Sequence, residues 1–231
     1  MQTIALSAGH SNTDPGAVYN GLVERDLNIK IVEVASKVLR ANGIGVLNPP
    51  DNLSLVQTIK WINDRADNIN VCLEVHINSS AKPNTGVGLE GWYYRGSNIS
   101  KQFIYDVVEG VRKATDMSSR GVKDEKCANI WGRLGFVHDT IPLAGLIECG
   151  FINSDVDRKL LGSEDGLYKI GIGIALGILD YFGIKYVAEK TKEEMDKQEL
   201  SEIKGKLAEV VNSCQTKSDL VNKVSAFIKL Y

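Results

Sequence analysis

The chain has only three histidines in 231 residues, and two of them stand where they can do chemistry. His10 lies in "LSAGHSNTDPGA", where an apolar run gives way to a polar, glycine-containing loop, and His76 lies in "NVCLEVHINSS". Glu24 opens an amphipathic stretch, and Glu148 ends the apolar run "IPLAGLIE". Two histidines and one carboxylate are a three-ligand set that leaves Zn2+ an open position for water. Such an ion brings the pKa of water towards ~7 and polarises a carbonyl, and a carboxylate outside the ligand set must then carry the proton. His10, Glu24 and His76 can supply the ligands for one zinc ion, and Glu148 the base. At the start of a helix, Glu24 sits where the dipole favours the ionised carboxylate that a metal requires. A carboxylate ending a buried strand, as Glu148 does, rarely lacks a partner.

The elements that must position these residues follow from hydrophobic periodicity. Residues 2–8, 43–47, 70–77, 87–94 and 141–151 read as strands. In the segment 24–42, Leu27, Ile31, Val34, Val38 and Leu39 share one helical face, and Leu55, Ile59, Ile62 and Ala66 make a second such face. Further helices are expected near 100–115 and 163–182. Strands alternating with helices of this length imply βαβ units and a three-layer, mostly parallel sheet flanked by helices. Ligands of such sheets bind beyond the C-terminal ends of the strands. His10, His76 and Glu148 all fall at those ends.

Bulk properties narrow the function classes. With 43% apolar and 24% charged residues, the composition is that of a globular protein, and a net charge of −2 gives no reason to expect nucleic acid or an anionic membrane surface. The longest apolar tract, 170–184, is shorter than the roughly 20 residues of a spanning helix and reads as a buried core helix. The opening "MQTIALSAGH" has neither the basic region nor the apolar length of a secretory signal. Cys72, Cys127, Cys149 and Cys214 form no C-x-x-C pair, and buried free thiols are expected.

Several segments of the sequence resemble zinc-dependent N-acetylmuramoyl-L-alanine amidases of the type-3 family of cell-wall hydrolases. "LSAGHSNTDPGA" resembles the family's G-H-x-x-x-D-P-G-A opening. "GLVERDLNIKIVEVASKVLRANGIGV" is similar to its acidic residue opening a helix, and "LEVHINSS" to its S-x-H-x-N block. "LAGLIECGFINSDVDRKLL" is similar to its L-x-E-x-G-F-x-x-N strand end, and "SSRGVKDE" to a recurring R-G-V-K segment. The resemblance spans roughly 1–184. It implies a six-stranded α/β sheet, a metal site from His10, Glu24 and His76, Glu148 as base, and hydrolysis of the amide between N-acetylmuramic acid and L-alanine in peptidoglycan. Asn78 and Arg120, within these blocks, and His138 are candidates for contacting substrate. Thr58 stands where the family often has arginine, and Glu74 where it usually has a small or apolar residue.

Other readings compete with this one. Cys149 offers a thiol nucleophile, but strand alternation turns it away from the face that carries Glu148. Trp92, Tyr93, Tyr94 and Trp131 are candidates for stacking on sugar rings. Asp14 or Asn12 can orient His10 from outside the ligand set. A zinc carboxypeptidase or deacetylase, and a wall-binding module without activity, are the alternatives in function. The lack of an export signal fits an endolysin of a phage or prophage, made in the cytoplasm and acting on the wall after release, with a spore or mother-cell lysin as the alternative. Residues 187–231 are expected to form a separate helical hairpin, for dimerisation or wall binding. One seam runs through Leu200, Ile203, Leu207 and Val210, and another through Leu220, Val224, Phe227 and Ile228, with Ser218 as N-cap.

Overall fold

The structure, a computed structural model, describes residues 1–128, 132–188, 192–213 and 215–228, and of 192–199, 217, 227 and 228 the backbone alone. Two compact units divide the chain, Met1–Tyr186 and Val187–Tyr231.

The first unit begins with strand β1 (Thr3–Ala8), a hairpin of β2 (Val18–Tyr19) and β3 (Leu22–Val23), and helix α1 (Glu24–Ala41). β4 (Gly45–Leu47), α2 (Leu55–Asn63), β5 (Val71–Asn78), β6 (Leu89–Tyr93) and α3 (Asn98–Thr115) follow. β7 (Ser119–Asp124), α4 (Gly135–Asp139), β8 (Leu143–Phe151), α5 (Arg158–Leu161) and α6 (Glu164–Tyr181) complete it. Six strands form one sheet in the order β4-β1-β5-β8-β6-β7. The first four run parallel; β6 and β7 run parallel to each other and antiparallel to β8. Strands β1, β5 and β8 are apolar almost throughout because helices cover both faces.

Alternation along the strands assigns the two faces. Ile4, Leu6, Leu73, Val75, Ile147 and Cys149 join the larger core cluster, with α1, α3 and α6. Ala5, Cys72 and Ala144 turn to the other face, with Ile62 of α2 and Phe136 of α4. The glycines that break the apolar tract of α6 let helices touch. A Cβ on Gly177 would lie 2.5 Å from the Cα of Val107 in α3, and one on Gly173 at 2.5 Å from the Cα of Val111. Helix α2 starts with a capping box in which Ser54 and Gln57 satisfy each other's ends.

The strand β7 and the β2–β3 hairpin lie outside the elements expected from sequence. His138 sits on the short helix α4, and the last strand starts at Leu143 rather than at residue 141.

The second unit is a pair of helices, α7 (Lys192–Asn212) and α8 (Lys217–Ile228). Their facing apolar residues, Leu207, Val211, Leu220, Val221 and Val224, line an open cavity of about 440 Å³. The N-cap of α8 is Thr216, whose hydroxyl accepts from the Asp219 amide at 3.1 Å. Ser218 lies inside the helix because the chain turns two residues earlier than the apolar spacing implies. The side chains of Phe227 and Ile228, and all of Cys214 and Trp131, lie outside the described residues. Among the described residues no helix is long and apolar enough to cross a membrane.

Candidate metal centre

The Gly9 amide extends the β1 ladder by donating to the Val75 carbonyl at 2.8 Å, which brings His10 out above β5. His10 adopts φ 72°, a left-handed conformation that costs a residue with a Cβ on the order of 1 kcal/mol or more. Reciprocal backbone bonds between Ser11 and Asp14, both 3.0 Å, close the loop behind it. Asp14, not Asn12, orients the ring: Nδ1 of His10 lies 2.9 Å from its Oδ2.

The hairpin then returns the chain. Its turn is Asn20–Gly21, both with positive φ, the sequence that best supports a two-residue hairpin turn. Glu24 consequently lies beside Ala17, whose amide donates to its Oε2 at 2.9 Å. Its Oε1 lies 3.0 Å from Nε2 of His10 and 3.0 Å from Nδ1 of His76, and accepts from the Ile77 amide at 3.1 Å. The two histidine rings meet edge to face, 4.9 Å apart. Two glycines leave them space. A Cβ on Gly9 would lie 2.3 Å from the His76 ring, and one on Gly16 at 2.6 Å from both His10 and Glu24.

The electrostatics suit a cation. Burial raises the pKa of the Glu24 carboxyl, but hydrogen bonds from His10 and His76 outweigh it and hold the group well below the usual carboxylate range. The bond to Glu24 raises the pKa of His10. Burial works against the charge on His76, yet Glu24 and Glu74 raise its pKa well above the ordinary value. One ligand atom from each of His10, Glu24 and His76 lies within 4.8 Å of the others. Two imidazole nitrogens and an ionised carboxylate oxygen are a donor set that fits Zn2+.

Register places Glu148 beside this cluster, since His76 of β5 pairs with Glu148 of β8. Burial pushes its carboxyl up to about 7, the approach of His76 opposes this, and Glu24 and Glu90 add to it. Its Oε2 is sealed from solvent and has no hydrogen-bond partner among the described residues. A carboxylate so placed can take up a proton near neutral pH.

Glu90 is the site residue that sequence reasoning missed. It pairs with Glu148 across β6 and β8, because the reversed direction of β6 brings its first residues to this edge. Only 4% exposed, it accepts from Arg120, from Lys123 at 2.7 Å and from Asn78 at 3.2 Å. Asn78 and Arg120 thus converge next to Glu148 through Glu90. The signal was present, as Glu90 interrupts an apolar strand just as Glu148 does.

The remaining candidates lie elsewhere. Nδ1 of His138 is 2.8 Å from the buried Glu125, and the ring lines a cavity at the start of β8 with Tyr94 and Ile141. It does not line the cavity beside the metal centre. Trp92 and Tyr93 pair with Leu146 and Gly145, further along β6 from the edge where Glu90 meets Glu148. Cys149 is buried in the α1/α3/α6 core and Cys72 is buried too, its thiol pushed up to about 12 by burial; Cys127 is exposed, contrary to expectation, and all three are free. The cavity beside the centre measures about 250 Å³ and is lined by His10, Asp14, Leu55, Thr58, Glu74 and His76, among others. Both departures from the family pattern therefore face it.

Comparison with known proteins bears on the family and the fold. The chain is 27% identical over 194 residues to the sporulation-specific N-acetylmuramoyl-L-alanine amidase of Bacillus subtilis, covering 80% of this chain and 70% of that one. It is 28% identical over 192 residues to the endolysin of Bacillus phage SPP1, covering 78% and 66%. The catalytic domain of CwlV, an N-acetylmuramoyl-L-alanine amidase from Bacillus (Paenibacillus) polymyxa var. colistinus, superposes with a TM-score of 0.70. That match has 26% identity and covers 80% of this chain and all of that one. The family model described as N-acetylmuramoyl-L-alanine amidase matches residues 4–180, and the chain, with its six-stranded sheet and its histidine–glutamate cluster at one edge, belongs to that family of peptidoglycan amidases.

Proposed function

We propose that the protein is a zinc-dependent hydrolase of the amide between N-acetylmuramic acid and L-alanine, with His10, Glu24 and His76 holding the ion and Glu148 acting as base. The observation that carries this reading is the convergence of three donor atoms within 4.8 Å beside a buried carboxylate. A zinc ion held there supplies Lewis-acid chemistry, acidifying water and polarising the scissile carbonyl. Glu148 takes the proton from the attacking water and hands it to the departing amine of L-alanine. A group titrating near neutrality serves both transfers. Glu90, held by Arg120 and Lys123, keeps a second carboxylate beside Glu148. Asn78 and Arg120 border the place where the substrate lies.

The likeness to a phage endolysin supports a lytic role, exerted on the bacterial wall after release from the cytoplasm. The C-terminal unit would serve wall binding or, as we favour, dimerisation, since a helical hairpin with an open apolar seam completes a four-helix bundle by pairing.

Metal analysis of the purified protein, and turnover of cell-wall fragments with product analysis, test the reading. About one zinc per chain is expected, lost in His76→Ala. Glu148→Gln is expected to keep the zinc and lose about 10²–10⁴-fold in turnover. Products with new L-alanine amino termini are expected. New carboxyl ends on shortened peptides, or deacetylated sugars, would replace the amidase reading. Equal zinc in His76→Ala would refute the ligand set, and loss of zinc in Glu148→Gln would make that residue a ligand.

A further inference from the structure

Glu74 lies two residues before His76 on β5, so both side chains project from the same face of the sheet. The residue is 5% exposed, and among the described residues its side chain has one ion-pair partner, His76, with Oε2 at 3.3 Å from Nε2. No described lysine or arginine pairs with it. A carboxylate enclosed to that degree is costly unless paired, so a Glu at this position calls for an account.

The two histidines supply it. His10 turns Nε2 to Glu24 and Nδ1 to Asp14, while His76 turns Nδ1 to Glu24 and Nε2 to Glu74. Each ring has its inner nitrogen on the shared carboxylate and its outer nitrogen on a carboxylate of its own. The Asp14 side chain is 63% exposed and that of Glu74 only 7%, so water competes at the first contact and hardly at the second.

We infer that Glu74 is a positioning residue of the metal centre: its carboxylate accepts the Nε2 proton of His76, which leaves the Nδ1 lone pair of that ring directed at the metal. The inference rests on the metal reading above. An outer carboxylate fixes the tautomer and orientation of a ligating histidine and raises its basicity, and losing such a partner costs about 10–100-fold in metal affinity.

The test measures zinc affinity, by competition with a chromophoric chelator, for the full-length wild type, Glu74→Ser and Glu74→Gln. Circular dichroism and the thermal midpoint of each metal-free protein report the fold. Glu74→Ser is expected to bind zinc about 10–100-fold more weakly, and Glu74→Gln, which keeps an acceptor, to lose less. Folded variants that bind zinc as tightly as the wild type would overturn the inference, since a purely structural role moves the midpoint and not the affinity. Nitrogen-15 spectra of histidine in the zinc-loaded wild type test it without a variant. The proton is expected on Nε2 of His76, and a proton on Nδ1 with metal on Nε2 would overturn the inference. A wild type that takes up no zinc overturns the metal reading and this inference together. Zinc binding that is indifferent to Glu74 overturns this inference alone.

Discussion

His76 occupies the space that a side chain at residue 9 would need. A Cβ there would stand 2.3 Å from the imidazole, so either the backbone after β1 or the ring must shift. Gly9→Ala is therefore expected to destabilise the protein by about 1–3 kcal/mol, read by chemical denaturation, and to weaken zinc uptake by displacing His76. Unchanged values of both would show that the ring can yield. At this scale, much of the candidate site was legible in the sequence. His10, His76 and Glu148 each end an apolar run, and Glu24 opens the first long helix; burial makes polar residues at such places conspicuous. Glu90 carries the same mark, since it too interrupts an apolar run, but that mark does not say which edge of the sheet it meets. A parallel strand here would put Glu90 at the far edge of the sheet, and only the reversed direction of β6 brings it beside Glu148. The choice of Asp14 over Asn12 depended on the Ser11–Asp14 closure, which spacing alone does not specify.

Helices α1, α3 and α6 lie close to where the sequence puts them, α6 as a long apolar tract rather than by a one-sided period. The elements that lack both marks were hidden. In β7 the first three residues are exposed and the rest only partly buried, so no alternation marks it. The β2–β3 hairpin is too short to carry a pattern, though Asn20–Gly21 signals its turn. Helix α4 is fixed by chemistry that no period reports. Glu125, wholly buried, accepts from Nδ1 of His138 at 2.8 Å, from the Leu134 amide at 3.1 Å and from Nε of Arg95 at 3.2 Å. Burial pushes its pKa up, but these bonds outweigh it and hold the folded value below the ordinary 4.5. The folded state therefore binds fewer protons here than the unfolded state. The stabilisation is present above the unfolded value and is lost as pH falls through the folded one. Between about pH 6 and about pH 3, the wild type is expected to lose more stability than Glu125→Gln, measured by denaturation at each pH. Equal losses would show that the carboxylate contributes nothing to the docking of α4.

At the scale of the whole molecule, the boundary between the compact units falls after Tyr186, beyond the end of the family match at residue 180. All of His10, Glu24, His76, Glu90 and Glu148 precede it. A chain ending at Tyr186 is expected to stay folded, to bind zinc and to cleave small soluble muropeptides, while lysing intact walls more slowly than the full chain. Sedimentation of the two chains tests the proposed pairing: the full chain is expected as a dimer and the shortened one as a monomer. Matching monomers would refute dimerisation, and loss of turnover on soluble fragments would place the tail within the catalytic unit. The strand order has a consequence for how the molecule is made. β8 is the last strand synthesised, yet it lies between β5 and β6. Until residues 143–151 leave the ribosome, β4-β1-β5 and β6-β7 are two separate ribbons, each with an edge that nothing else in the sheet can fill. The strand that joins them also delivers Glu148. Of the residues gathered at this edge, Glu148 is therefore the last to be made, and it arrives on the strand whose insertion closes the sheet.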